Sequence, residues 1–124
     1  MKTVYTNAML EEASFRNHAD SALEALKRSL IRAEEQGDFE VEEQNGALNV
    51  VFEEPPGKFV ITPNTPVRQI WISALSTSFK LEWSGDAEAF VLPKTGETLK
   101  EVIERAINQH LGMDAGDGGA VALP

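Results

Sequence analysis

Thr62–Pro63–Asn64–Thr65–Pro66–Val67–Arg68–Gln69–Ile70–Trp71–Ile72–Ser73 decides how the rest of the chain is read. Two prolines bracket Asn64 and Thr65. They fix φ and remove two N–H donors, which predicts a turn. From Val67 to Ser73 the β-branched residues Val67, Ile70 and Ile72 predict a strand. Strand alternation puts Ile70 and Ile72 on one face and Gln69, Trp71 and Ser73 on the other. With the isoleucines on the core, a large indole stands among polar residues on the outer face. It is either half-covered by neighbouring strands or a contact anchor for a partner, and both readings stay open at this point.

Working outward, the same period of two recurs on both sides. Upstream, Asp38–Glu43 alternates Phe39 and Val41 with Asp38, Glu40 and Glu42. Asn45–Gly46 is a hairpin signal, and Leu48, Val50 and Phe52 follow on the next strand. Pro55–Pro56–Gly57 turns the chain into a strand over Lys58–Thr62. Downstream, Ser76–Thr77–Ser78 reads as a loop, then Phe79, Leu81 and Trp83 alternate with Lys80 and Glu82. Ser84–Gly85–Asp86 is a turn before a short strand over Glu88–Leu92.

Helical periods flank these strands. Phe15, Ala19, Ala22, Leu23, Leu26, Leu30 and Ala33 form one apolar stripe, with Asn7 or Ser14 as possible caps and Gly37 as the stop. At the other end Thr98 and Glu101 spell a capping box. The stripe Leu99, Val102, Ile103, Ala106, Ile107, Leu111 follows, closed by Gly112. Helix, a run of antiparallel strands, helix predicts an α+β fold: two helices packed on one face of a single antiparallel sheet of five or six strands, an α-β-α sandwich in chain order. The opposite face is solvated and carries Gln69 and Trp71. Residues 1–9 read as a flexible leader, 10–112 as the domain, and the Gly- and Ala-rich residues 113–124 as a flexible tail.

The chain has 124 residues, one domain's worth, with a net charge of −9. The absence of cysteine excludes disulfides, thiolate metal sites and thiol catalysis. A strongly acidic chain repels nucleic acid and anionic membrane, so neither is expected as a partner. No apolar run has the length of a membrane span, and Met1–Leu10 lacks the pattern of a secretory or transit signal. The expected setting is a reducing cytoplasm. The acids crowd into Glu34, Glu35, Asp38, Glu40, Glu42 and Glu43, with no base among them.

The element order, Asn45–Gly46–Ala47–Leu48 and above all Thr65–Pro66–Val67–Arg68–Gln69–Ile70–Trp71–Ile72–Ser73 resemble the frataxin family, including its bacterial CyaY branch. Phe15–Arg16–Asn17–His18–Ala19–Asp20 is similar to that family's first helix, and Gly96–Glu97–Thr98–Leu99 to the entry of its last. The resemblance implies an iron-binding protein, monomeric without metal. It implies service in iron–sulfur cluster assembly, through contact with a cysteine desulfurase and a scaffold protein, by iron delivery or regulation. Two departures stand out. Thr62 and Pro63 occupy the place of the family's Asn followed by a base, and Lys27, Arg28, Ile31 and Arg32 replace the acids of its later helical turns.

Carboxylates bind ferrous and ferric iron through oxygen. The period of two sets Asp38, Glu40 and Glu42 on one face, and Glu34, Glu35 and Glu43 adjoin them. Asp20 and Glu24 lie one turn apart on the first helix. The expected site is open, binding iron weakly and admitting other hard divalent cations. A solvated acidic face is the alternative, with Glu24 pairing to Lys27 or Arg28. Asn64, Arg68, Gln69 and Trp71 are the expected partner contacts. Trp83 belongs to the core, and His18 and His110 are surface or helix residues. No phosphate-binding loop, nucleophile triad or zinc signature is present. Two rival functions are an acidic interaction module with incidental metal, and a weak ferroxidase; no Glu-x-x-His pair supplies a di-iron centre for the latter.

Overall fold

The computed structural model of the chain describes residues 11–35, 39–112 and 121–123. Helix α1 spans Glu12–Ala33. Six strands follow: β1 Phe39–Gln44, β2 Ala47–Glu53, β3 Pro56–Asn64, β4 Gln69–Ala74, β5 Thr77–Ser84 and β6 Ala89–Val91. Helix α2, Leu99–Leu111, closes the domain. The strands pair antiparallel in chain order, β1-β2-β3-β4-β5-β6, so each neighbour is reached by a short turn. Both helices bury their stripes against one face of the sheet, as the alternation predicts.

That face supplies the core. Phe15 and Leu30 of α1, Ile61 of β3, Ile70 of β4, Leu81 of β5 and Ile103 of α2 are all buried. Each such side chain contributes about 1.5–3 kcal/mol on leaving water. Asn45 and Gly46 both have positive φ, 54° and 81°, the geometry of a two-residue hairpin turn. The capping box is present in full: Thr98 Oγ1 accepts from Glu101 N–H, and the Glu101 carboxylate accepts from Thr98 N–H. Gly112 ends α2 in the left-handed region at φ 73°.

Several boundaries differ from the expected ones. Helix α1 begins after Glu11, which makes no side-chain cap bond, and an Arg16–Glu12 ion pair of 2.7 Å spans its first turn. It ends at Ala33 with Glu34 as cap; the expected stop Gly37 and the expected leader, residues 1–9, lie outside the described residues. The strand expected from Val67 starts at Gln69. Thr65–Val67 form one 3-10 turn, because Pro66 presets φ for a turn and has no N–H for a ladder. Arg68 closes that turn in the left-handed region, φ 55°, with its guanidinium donating to the Thr65 carbonyl. Strand β3 runs past Thr62 to Asn64 and accommodates Pro63, which pairs with Ile70. The β2 partners stop at Ile61, so Pro63 meets a neighbour on one side only and its missing donor costs no ladder bond. Strand β5 likewise starts at Thr77, inside the expected loop.

The expected flexible tail is corrected at its far end. Val121 and Leu123 are buried. Asn108, itself only 9% exposed, donates to the Val121 carbonyl at 2.9 Å and accepts from Val121 N–H at 2.7 Å. A side-chain amide thus replaces a strand partner for one buried residue, and residues 121–123 return to the domain.

Candidate functional site

On the outer face of the sheet, register builds a connected group around Trp71. Thr62 and Lys80 pair with Trp71 from β3 and β5, and Gln69 pairs with Glu82. The Trp71 indole N–H donates to Gln69 Oε1 at 2.8 Å. The Gln69 amide donates to Glu82 Oε2 at 3.0 Å. The Lys80 ammonium stands 4.9 Å from the indole centroid, within cation–π range. Trp71 is half-buried, so it is partly covered by neighbouring strands and still presents an edge to solvent. Asn64 and Arg68 are also half-buried at the adjoining turn.

The acidic residues divide by face. Glu40 and Glu42 are exposed on the outer face of β1. They pair across to Val51 and Asn49, so no cation neutralises them from the next strand. Along the strand they stand about 7 Å apart. Glu43 turns to the helix side, where the Lys27 ammonium meets it at 3.0 Å. The hydrogen bond and charge of Glu43 hold Lys27 above its ordinary range. Glu34 is committed elsewhere: its Oε2 accepts from the backbone N–H of Val41 at 2.7 Å. Asp20, Glu24 and Glu35 are exposed on α1 and just beyond it. Asp38 lies outside the described residues. Among the described residues no three His, Asp or Glu side chains converge as a metal cluster. Chemically this is an open carboxylate surface, suited to hydrated hard cations and basic proteins more than to a closed coordination sphere.

Lys80, Glu82 and Lys27 belong to these surfaces and were not expected there. Alternation alone marks Lys80 and Glu82 as outward, but their contacts with Trp71 and Gln69 depend on β4–β5 register. A cleft of about 510 Å³ opens between α1, β5–β6 and the start of α2. None of the residues expected from the sequence to form the site lines it. His18 stacks there on Trp83, with centroids 3.8 Å apart and planes at 17°, a helix-to-sheet contact made by a residue expected on the surface or on a helix. No helix among the described residues is long and apolar enough to cross a membrane.

The model of the frataxin-like domain family matches residues 8–113. The chain is 30% identical over 105 residues to the iron–sulfur cluster assembly protein CyaY of Pseudomonas fluorescens (strain Pf0-1), covering 85% of this chain and 93% of the relative. It is 23% identical over 103 residues to the iron–sulfur cluster assembly protein CyaY of Thioalkalivibrio sulfidiphilus, covering 83% and 95%. In structure it is similar to the frataxin from Psychromonas ingrahamii, with a TM-score of 0.71 at 15% identity over 84% of this chain and 94% of that one. That last likeness bears on the fold.

Proposed function

The chain belongs to the family of frataxin-like domains, and on that premise we propose that it serves iron–sulfur cluster assembly as an iron-binding protein that docks on the assembly machinery. The observation that supports this most is that Glu40, Glu42 and Trp71 share the solvated face of one sheet. Glu42, Asn49, Val60 and Ser73 run in register across four strands, with Trp71 two residues from Ser73. At about 4.8 Å per strand spacing and about 3.4 Å per residue along a strand, Glu42 stands roughly 16 Å and Glu40 roughly 20 Å from Trp71. One protein of ordinary interface size covers both. Exposed carboxylates steer a basic partner and raise its on-rate, and the indole anchors it. The same carboxylates, with Glu35 at the end of α1 and Glu24 and Asp20 further along it, hold iron weakly as cargo that a partner takes over. A bacterial cytoplasmic setting belongs to the same proposal.

A second reading has its own support. Glu34 and Glu43 are engaged by Val41 and Lys27, which favours an acidic docking module whose metal binding is incidental. Calorimetric titration with a purified cysteine desulfurase tests the shared part. Glu40→Lys with Glu42→Lys is expected to weaken binding most at low salt, and Trp71→Ala at all salt concentrations. Unchanged binding in both variants rejects this face. Fe²⁺ binding that persists when Glu40 and Glu42 are both Gln rejects them as the iron site and favours the second reading.

A further inference from the structure

Strand β1 is the edge of the sheet, and among the described residues its outer rim is nearly open. Gln44 and Ala47 close the two-residue hairpin, which makes them a pair that exchanges both ladder bonds. Bonded pairs alternate, so Glu42 and Glu40 also bond to β2, while Val41 and Glu43 turn their N–H and C=O groups away from the sheet. The bond from Val41 N–H to Glu34 agrees with this. It occupies one outward group. No described residue takes the Val41 carbonyl, the Glu43 N–H or the Glu43 carbonyl. Such a rim is a template for another strand.

The flank of α1 beside this rim carries an unusual residue. Lys27 and Glu34 both reach β1, through Glu43 and Val41. Ile31 lies one turn from each and so shares their side of the helix. It is 45% exposed, one of two large exposed hydrophobic side chains among the described residues. A strand laid beside β1 would direct alternate side chains toward Ile31 and toward the face of Glu40 and Glu42.

We infer that the outer edge of β1 takes up an extended segment of a partner protein by strand addition, a segment with Lys or Arg facing Glu40 and Glu42 and an apolar residue facing Ile31. The inference rests on the docking role proposed above and names its geometry. A second copy of this chain does not fit. Antiparallel pairing of β1 with itself sets the glutamates of one strand against those of the other, and like charges directly opposed are destabilising. Glu34 acts as the latch: it holds the Val41 N–H until a backbone carbonyl of the incoming segment replaces it. Such main-chain recognition supplies affinity, while the alternate side chains supply specificity.

The test uses two peptides of alternating Lys and Val, one unmodified and one N-methylated at every second residue. They carry the same charge, but the second is blocked along one rim. Titration of the ¹⁵N-labelled full chain with the first is expected to shift Val41 and Glu43 and to slow amide exchange at Glu43. The methylated peptide should bind at least about tenfold more weakly, and Glu34→Ala should tighten the unmodified peptide about five-fold by freeing Val41 N–H. Equal binding of both peptides, or binding without protection at Glu43, overturns strand addition and leaves attraction between charges. Absence of binding overturns it too. Binding of the cysteine desulfurase to the same protein is measured in parallel. If that persists while the peptides fail, strand addition falls and the docking role stands.

Discussion

His110 lies directly over Gly57, so that a Cβ added at Gly57 would stand 2.5 Å from His110 Cε1. The ring is held there by a 2.8 Å contact of Nε2 with the Pro55 carbonyl and by Phe52, whose centroid is 4.2 Å away. The end of α2 is thereby fixed to the β2–β3 turn. Gly57→Ala is expected to cost about 1–3 kcal/mol through overpacking. His110→Ala should relieve much of that, so the double variant loses less than the sum of the singles. Urea unfolding of the four proteins measures the coupling, and strict additivity would contradict the contact.

The Asn108–Val121 pair predicts a stabilising role for residues 121–123. Asn108→Ala leaves a buried N–H and carbonyl of Val121 without partners, at about 1–3 kcal/mol for each group left unsatisfied. Removal of residues 121–124 also uncovers the apolar surface beneath Val121 and Leu123. Both changes should lower the urea midpoint clearly, and combining them should add little to the truncation alone.

Glu97 and Arg105 predict an acid-side dependence of stability. Two hydrogen bonds of 2.8 and 2.9 Å join them. Arg105 is the first cause holding Glu97 below its ordinary value of 4.5, with Thr95 assisting. The folded value is therefore lower than the unfolded one. The contribution is present in full above the unfolded value and is lost as pH falls from about there through the folded value. Arg105→Gln should lower stability at neutral pH and narrow its gap from the parent protein at acid pH. A constant gap across unfolding curves from neutral to pH 3 would contradict this.

Much of the fold was legible because its determinants are local. Asn45–Gly46, the Thr98–Glu101 box, the alternation from Phe79 to Trp83 and the two helical stripes each specify their element within a few residues. The site was legible only in part. Trp71 and Gln69 read as outward from alternation alone, and the indole-to-amide bond between them follows from their spacing of two. Glu34 and Glu43 read as free acids, because their partners Val41 and Lys27 depend on how α1 lies against β1. Composition pointed residues 121–123 to a loose tail; two apolar residues and one buried Asn in α2 outweigh the glycines around them. The 3-10 turn at Thr65–Val67 follows from Pro66, yet the β-branched Val67 made the same residues look like strand.

Trp71 predicts a separation of stability from binding. It is packed between Thr62 and Lys80 on the solvated face, outside the core formed with the helices. Trp71→Ala is expected to cost less than the 3–5 kcal/mol typical of a core aromatic, about 1–2 kcal/mol, while weakening desulfurase binding at least about tenfold. Lys80→Ala should weaken binding less, since it removes one face of the indole's surroundings and not the indole. Thermal unfolding alongside calorimetry separates the two effects, and a full core-sized loss at Trp71 with binding intact would reverse the assignment.

Anaerobic titration of the ¹⁵N-labelled protein with Fe²⁺ tests most directly the proposal that this surface handles iron. Paramagnetic broadening is predicted to be strongest at Glu35, Glu40 and Glu42 and to weaken along α1 from Glu34 past Lys27 toward Glu24 and Asp20. Amides beside Glu82 and Glu104, which lie elsewhere on the surface, should keep their intensity. No broadening, or equal broadening around all of these acids, would contradict an iron site at α1–β1 and leave a solvated acidic face.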